Sequence, residues 1–337
     1  MKITLDRARR LTESLLGGAG LAPERAAVTA RAITLADAWG IGSHGMFRLP
    51  VYLDRLAAGG YPPGAELTAV RDTGPVLMLD GGGGIGHWQV AEAAEYAVER
   101  AGRYGVALVG VANGGHSGAL GCYALDIARA GLVGLVFANG PAALPPWGGS
   151  AALLSTSPIA AGIPTEPRPA VVDMALSAVA RGKVAALAKR GEELPEGWAL
   201  DAEGRPTTDP MAALRGMLAP LGGPKGYALA FLVEALTAGL VGPYLSADVP
   251  DFFDDARNAE PQRISHLVVA VDPELVGDPA DPGGSAARLN ALAERTAAAG
   301  GRLPGSRRTP PESLDGSTMV DIDSEVLADL EDRARLL

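Results

Sequence analysis

A single cysteine, Cys122, stands among 337 residues, so no disulfide can form within the chain. Histidine is nearly as scarce. There are four, none of them in a helical i, i+4 pair, and with one isolated cysteine they make no credible zinc site, so no metal is expected. No Lys/Arg cluster offsets the formal net charge of -10, which argues against nucleic acid or an anionic membrane as the main partner. The longest apolar run, Tyr227 to Val241, carries Glu234 and is too short to cross a bilayer; it reads as a buried core helix. Behind the charges of the N-terminal MKITLDRARR there is no uninterrupted apolar stretch, and the expectation is a protein that stays in a reducing cytoplasm. No internal repeat of fixed period is visible.

What is present is ample core material. With 47% hydrophobic residues and this length, two closely packed domains are expected. The first segment reads as helices from Leu5 to Leu16, Pro23 to Ala38 and about Pro50 to Ala58, with Pro23 suited to a first turn and Gly40 to a stop. From about residue 70, short β-branched runs (Val76 to Leu79, Val106 to Val111, Leu132 to Phe137, Ala170 to Val172, His266 to Val271) alternate with Ala-rich helices, giving an α/β segment. The loops Gly191 to Pro210 and Pro243 to Pro261 are long enough to suggest a functional role. The C-terminal part, a helix from Gly283 to Ala299 followed by a charged tail, is expected to pack back on the N-terminal helices. The expected division is a discontinuous helical domain, 1–72 and 282–337, around a sheet domain, 73–281.

Gly81-Gly82-Gly83-Gly84-Ile85-Gly86 matches the dinucleotide-binding glycine pattern between a strand and a helix. The next strand nevertheless ends in Ala112-Asn113, with no acid to hold a ribose hydroxyl, so the run reads as a flexible turn.

Three other clusters carry chemistry. Ser43-His44-Gly45-Met46-Phe47-Arg48 places beside Ser43 an imidazole that can exchange a proton near neutrality and a guanidinium that can grip a carboxylate. Asn113-Gly114-Gly115-His116-Ser117-Gly118 leads from strand to helix, and His116 either lines a substrate pocket or caps that helix. His87 and His266 read as structural. In Val171-Val172-Asp173-Met174-Ala175-Leu176-Ser177, Asp173 either accepts hydrogen bonds from a ribose or carboxamide or caps the helix that follows, while Arg181 and Lys183 suit a pyrophosphate. Lys225, at the start of an apolar helix after Gly222-Gly223-Pro224, works against the helix dipole unless an anion is near.

Taken together, ADAWGIGSHGMFRLPVYLDRL, NGGHSGALG, LPPWGG, STSPIAAGIPT, VVDMALSAVARGK, PEGWALDAEGRPTTDP, LGGPKGYALAFLVE and NAEPQRISHLVVAVDPE resemble the type-2 malate/L-lactate dehydrogenase family. That family includes ureidoglycolate and L-sulfolactate dehydrogenases, diketogulonate reductase and the piperideine/pyrroline-2-carboxylate reductases. The resemblance implies a homodimer with NAD or NADP on a non-Rossmann, mixed, largely antiparallel sheet. It implies His44 as catalytic acid/base, Arg48 as carboxylate clamp and His116 as a second active-site histidine, which some members assign as the proton acceptor. Asp173, Met174, Ala175 and Ser177, together with Lys225, Gly226, Pro304, Gly305 and Ser306, align with cofactor-contacting stretches. Two departures are Ser306, where the family commonly has Glu, and Gly140, where a polar residue is usual. The tail beyond Arg308 finds no clear counterpart. The activity so implied is hydride transfer at C2 of a small 2-oxo or 2-hydroxy acid, with reduction of a cyclic 2-imino acid as the alternative on the same scaffold and a nucleotide-binding module without turnover as the third reading.

Overall fold

The computed structural model describes residues 1–252 and 254–337; Phe253, inside the loop expected from Pro243 to Pro261, lies outside them. A short strand, β1 (Lys2–Thr4), leads into α1 (Leu5–Gly18), whose first turn is capped by the Thr4 hydroxyl accepting the N–H of Arg7. Helix α2 (Pro23–Ala38) begins on the proline and stops before Gly40, which adopts a φ of +72°. Two turns of 3-10 helix, Gly42–His44 and Met46–Arg48, then lead into α3 (Leu49–Ala58).

The next elements are β2 (Thr68–Asp72), β3 (Val76–Asp80), α4 (Gly86–Tyr104), β4 (Val106–Gly114), α5 (Gly121–Arg129), β5 (Val133–Ala138), β6 (Ile159–Ile163) and β7 (Ala170–Met174). After α6 (Arg181–Arg190), the loop expected from Gly191 to Pro210 contains β8 (Ala199–Leu200) and β9 (Pro206–Thr207), which with α7 (Pro210–Arg215) and β10 (Met217–Leu218) build a small three-stranded sheet. Helix α8 (Pro224–Glu234) passes into a π turn, Ala235–Gly239, before β11 (Ile264–Val271) and α9 (Gly284–Ala298).

The large sheet has seven strands in the order β2-β3-β4-β11-β5-β6-β7, and every neighbouring pair is antiparallel except β3 with β4. The fold is therefore mixed α/β with a mostly antiparallel sheet. Because β11 runs against both β4 and β5, those two strands point the same way. The C-terminal ends of β4, β5 and β7 thus meet the starts of β11 and β6 along one rim. Helices α4 and α5 pack on the sheet through Ala93, Ala97, Tyr123 and Ile127 against Val109, Val111, Val136 and Val268.

A second core joins the two ends of the chain. The strand β12 (Met319–Asp321) pairs with β1, and α10 (Ser324–Ala334) lies on α1 and α3. Leu16, Ile33, Leu49 and Leu330 are wholly buried there, each contributing roughly 1.5–3 kcal/mol by leaving water. The sequence assigned this packing to the C-terminal part, helix and tail together. The segment that performs it is the tail, whereas α9 meets the β6–β7 turn, where the Asn290 side chain accepts the N–H of Glu166 at 2.9 Å.

Two further expectations are corrected. Thr68–Asp72, placed by the sequence in the helical part, is an edge strand of the large sheet. The apolar run from Tyr227 is not a buried core helix, since Leu229, Phe231 and Leu232 of α8 are 45%, 56% and 50% exposed. Its Glu234 is buried and takes the N–H and hydroxyl of Ser246 at 2.7 and 2.6 Å, which ties the helix end to the following loop.

The glycine run after β3 satisfies its amides internally. Those of Gly81 and Gly83 donate to the carbonyls of Ala112 and Asn113, that of Gly82 to the Asp80 carboxylate, and that of Gly86 to the carbonyl of His116. A side chain at Gly86 would run into the Gly115 carbonyl, so the run lets α4 abut the loop that carries His116.

Candidate active site

A cleft of about 390 Å³ lies along the rim of the large sheet. One wall is the Ile41–Arg48 segment, whose conformation is fixed by short local bonds. The Arg48 Nε donates to the Ser43 carbonyl at 2.8 Å, and the Ser43 hydroxyl lies 3.0 Å from Nδ1 of His44. Imidazole and guanidinium are therefore held by the same loop. The Arg48 guanidinium sits 5.0 Å over the Phe252 ring and faces the cleft near Arg181 and Asp251, whose own separation is 3.7 Å. Burial, followed by the charge of Arg48, pushes His44 down to about 4.

The end of β4 supplies the second imidazole. Asn113 takes a left-handed φ of 53° and turns the chain so that the His116 ring stacks 5.8 Å from that of His44. His116 caps no helix: α5 begins at Gly121 with Leu120 as its N-cap. Its Nδ1 instead lies 2.7 Å from the Tyr52 hydroxyl and accepts the N–H of Gly118 at 3.3 Å, while its own N–H is shared by the Tyr61 hydroxyl and the Gln262 side-chain oxygen, each at 3.3 Å. Burial drives His116 well below the ordinary imidazole range. His87, fully buried, stands edge-on to Tyr52 with ring centroids 5.0 Å apart. His266, read from sequence as structural, is buried and holds the Gly115 carbonyl through Nε2 at 2.9 Å, but it also lines the cleft. All four histidines of the chain thus gather at one end of it.

The end of β7 and the turn after it supply further lining. Asp173, Met174, Ala175, Ser177 and Arg181 all line the cleft. Asp173 does not cap α6, whose N-cap is Ala180; it lies in β7, 3.5 Å from Nη2 of Arg308. Burial raises its carboxyl, with Arg308 opposing. The Nη1 of Arg308 is buried beside Gly121 with no hydrogen-bond partner among the described residues, which leaves one donor of this cleft-lining arginine unsatisfied.

The remaining cofactor candidates are not brought into the cleft. Lys183 is exposed on α6 and Lys225 is exposed at the start of α8, whereas Gly226 is buried against the Leu221 carbonyl. Pro304, Gly305 and Ser306 lie against the outer edge strand β7, where the Val171 N–H donates to the Pro304 carbonyl at 3.0 Å and Arg168 holds the Ser306 carbonyl. Arg308 is the member of that segment that reaches the cleft. Sequence reasoning missed Arg308, Tyr52, Asp37 and Phe252. Only Tyr52 left a trace, as a tyrosine on the helix just after the His44 loop. Among the described residues no cluster of three His, Cys, Asp or Glu side chains is arranged to hold a metal ion, and no helix is long and apolar enough to cross a membrane.

A family model described as malate/L-lactate dehydrogenase matches residues 3–331. The chain belongs to that family. The match runs through α10, so the tail beyond Arg308, which found no counterpart in sequence reasoning, is part of the family's pattern. The chain is 40% identical to a (2R)-3-sulfolactate dehydrogenase (NADP(+)) of Chromohalobacter salexigens over 91% of its own length and 90% of the relative's. It is 35% identical to a delta(1)-pyrroline-2-carboxylate reductase of Burkholderia multivorans, over 91% and 89%. The solved sulfolactate dehydrogenase of Methanocaldococcus jannaschii superposes with a TM-score of 0.90 at 28% identity, covering 100% of this chain and 97% of that one.

Proposed function

We propose that this dehydrogenase moves a hydride between NAD or NADP and C2 of a small 2-oxo or 2-hydroxy acid, with His44 and Arg48 meeting the acid. The observation that carries the reading is the convergence of His44, His116 and Arg48 on one cleft that Asp173, Met174, Ala175 and Ser177 also line. Similarity to the sulfolactate enzyme adds that the acid's third carbon carries a second anionic group, which Arg181 beside Arg48 suits.

The cofactor, when bound, supplies or receives the hydride. Asp173, Met174, Ala175 and Ser177 would hold its nicotinamide end, and the unsatisfied Arg308 nitrogen fits such a polar guest. Lys183, Lys225, Gly226, Pro304, Gly305 and Ser306 would then act toward the distal part of the cofactor, outside this cleft. Arg48 binds the substrate carboxylate, whose negative charge offsets the guanidinium that, after burial, depresses His44. His44 thereby gains proton affinity when substrate arrives, and it gives the proton to C2 oxygen in reduction or takes it in oxidation. Ser43 orients His44 through Nδ1.

The same reading includes a helical part, built from the N-terminal helices and the C-terminal tail, around a sheet part that binds nucleotide without the doubly wound Rossmann arrangement. It also includes a cytoplasmic homodimer, in which a second copy covers the exposed face of α8. Similarity to the pyrroline-2-carboxylate reductase supports imine reduction as the second reading. Oxidation of reduced cofactor, followed by absorbance, should be fast with 3-sulfopyruvate or oxaloacetate and slow with piperideine-2-carboxylate. The reverse order would favour the imine, and cofactor binding with no turnover of any of them would leave only a nucleotide-binding module.

A further inference from the structure

The two stacked imidazoles, His44 and His116, are held differently, and the difference assigns them different work. His116 sits in a cage. Tyr52, completely buried on α3, meets its edge through the hydroxyl with ring centroids 5.9 Å apart, and Phe252 packs against both rings, 5.0 Å from His116 and 5.7 Å from Tyr52. The Nδ1 atom faces two protein groups, the Tyr52 hydroxyl and the Gly118 N–H. A backbone N–H can only donate, so Nδ1 carries a lone pair and the proton of the neutral ring is on Nε2. The Tyr52 hydroxyl adds a second donor to the same atom, because its ionisation in this dry site is strongly disfavoured and it keeps its proton. The Nε2 edge meets no hydrogen-bond partner among the described residues, and His116 lines the cleft. His44 has no such pair of donors: its Nδ1 faces a serine hydroxyl, which can donate or accept as the imidazole changes state.

We infer that Tyr52 is a positioning residue that, with the Gly118 N–H, locks His116 as the Nε2–H tautomer, so that His116 donates a hydrogen bond to the substrate's C2 oxygen without surrendering its proton. In reduction the hydride reaches C2, the C–O π bond becomes a C–H bond and an oxyanion, and the oxyanion takes its proton from His44. His116 stabilises the oxyanion as it forms and ends with the proton it began with. A fully buried tyrosine could not resupply that proton without leaving a buried phenolate. The inference rests on the dehydrogenase reading above.

With only four histidines, the side-chain nitrogens of a protein labelled with 15N-histidine can be resolved and assigned through His116→Gln. The expected spectrum has a protonated Nε2 and a bare Nδ1 at His116, unchanged from about pH 8 to about pH 5.5. Tyr52→Phe should lose the single tautomer and lower kcat roughly tenfold, as for one lost hydrogen bond, while the KM for the acid and the affinity for cofactor hold. His116→Gln keeps an N–H near the Nε2 position and should retain most of kcat, whereas His116→Ala should lose roughly a hundredfold, the cost of removing one oxyanion donor. A protonated Nδ1 at His116 in the wild type would overturn the inference, as would a His116→Gln variant as inactive as His116→Ala in a protein whose spectrum shows the remaining histidines in place. The spectrum reads the tautomer without turnover, so failure of the dehydrogenase reading and failure of this one are separable.

Discussion

Asp37, at the end of α2, accepts the backbone N–H of Met46 at 2.9 Å and fills the space behind Gly45, where a side chain would collide with its carboxylate. This contact anchors the Ile41–Arg48 segment between His44 and Arg48, the two residues proposed to meet the substrate. The electrostatic consequence is large, for burial pushes Asp37 up to about 7 despite the Met46 bond. In the folded protein the carboxyl therefore stays protonated between about 3.8 and about 7, a range in which the unfolded chain has released that proton. Stability contributed by Asp37 falls as pH rises through that window and is constant above it. Asp37→Asn keeps an acceptor for Met46 and removes the titration. Its melting temperature should match the wild type near pH 4 and exceed it increasingly up to about pH 7, by at most about 4 kcal/mol of unfolding free energy. Parallel melting curves across that range would show that Asp37 is not held protonated.

The pH profile of oxidation follows from His44. As a base it must be neutral, and with its value pushed down to about 4 it is neutral throughout the physiological range. In Asp37→Asn, where the other group titrating near neutrality is gone, kcat/KM for the hydroxy acid should stay flat from about pH 8 to about pH 5. A fall centred near 6.5 would mean that His44 titrates like an ordinary histidine. Arg48→Gln removes the second cause of the depression and should move the acid limb upward, toward neutral pH.

Removal of the groups separates their roles. His44→Ala should lower turnover by about a hundredfold or more and leave cofactor affinity intact, as expected for loss of a general acid. Arg48→Lys should act mainly on KM for the acid, because a point charge replaces neither the planar donor fork nor the guanidinium's contact with Phe252. Steady-state kinetics with cofactor titration measures both, and a kcat-only effect of Arg48→Lys would remove it from ground-state binding.

The parts legible in the sequence are those decided locally. Pro23 and Gly40 bracket α2 as read, and the run from Val106 is a strand whose Val109 and Val111 are buried in the sheet. Strand β6, Ile-Ala-Ala-Gly-Ile, was missed because a long-range contact chooses its composition: a side chain at Gly162 would collide with the Ala124 carbonyl of α5. Strand β2 was missed because all five of its residues are exposed, which leaves no alternation to read. The loop carrying Ser43, His44 and Arg48 was visible as a dense cluster of reactive types. Tyr52 and Arg308 were not, since a tyrosine on a helix and an arginine in a tail acquire meaning only when the fold delivers them to His116 and Asp173.

Gathering every histidine in one dry region has a cost that can be measured. Burial pushes His44 and His266 to about 4 and His87 to about 3, and drives His116 lower than an ordinary histidine. Below about pH 6.5 the unfolded chain binds these protons and the folded chain does not, so stability must fall as pH drops toward about 4. Asp37, Asp173 and Glu234, whose buried carboxyls are raised, oppose this by holding protons in the folded state, but four histidines outweigh Asp37 and two less strongly committed acids. Calorimetry should show the melting temperature declining steeply from about pH 6.5 to about pH 4.5. His87 is the member best suited to isolate, because both of its ring nitrogens are buried with no hydrogen-bond partner among the described residues and it does not line the cleft. His87→Leu should flatten the decline by about one proton's worth, roughly 1.4 kcal/mol per pH unit, while kcat near neutral pH changes little. If the slope of the variant equals that of the wild type, His87 is already protonated in the folded protein and the dry cluster beneath His116 is not what the distances imply.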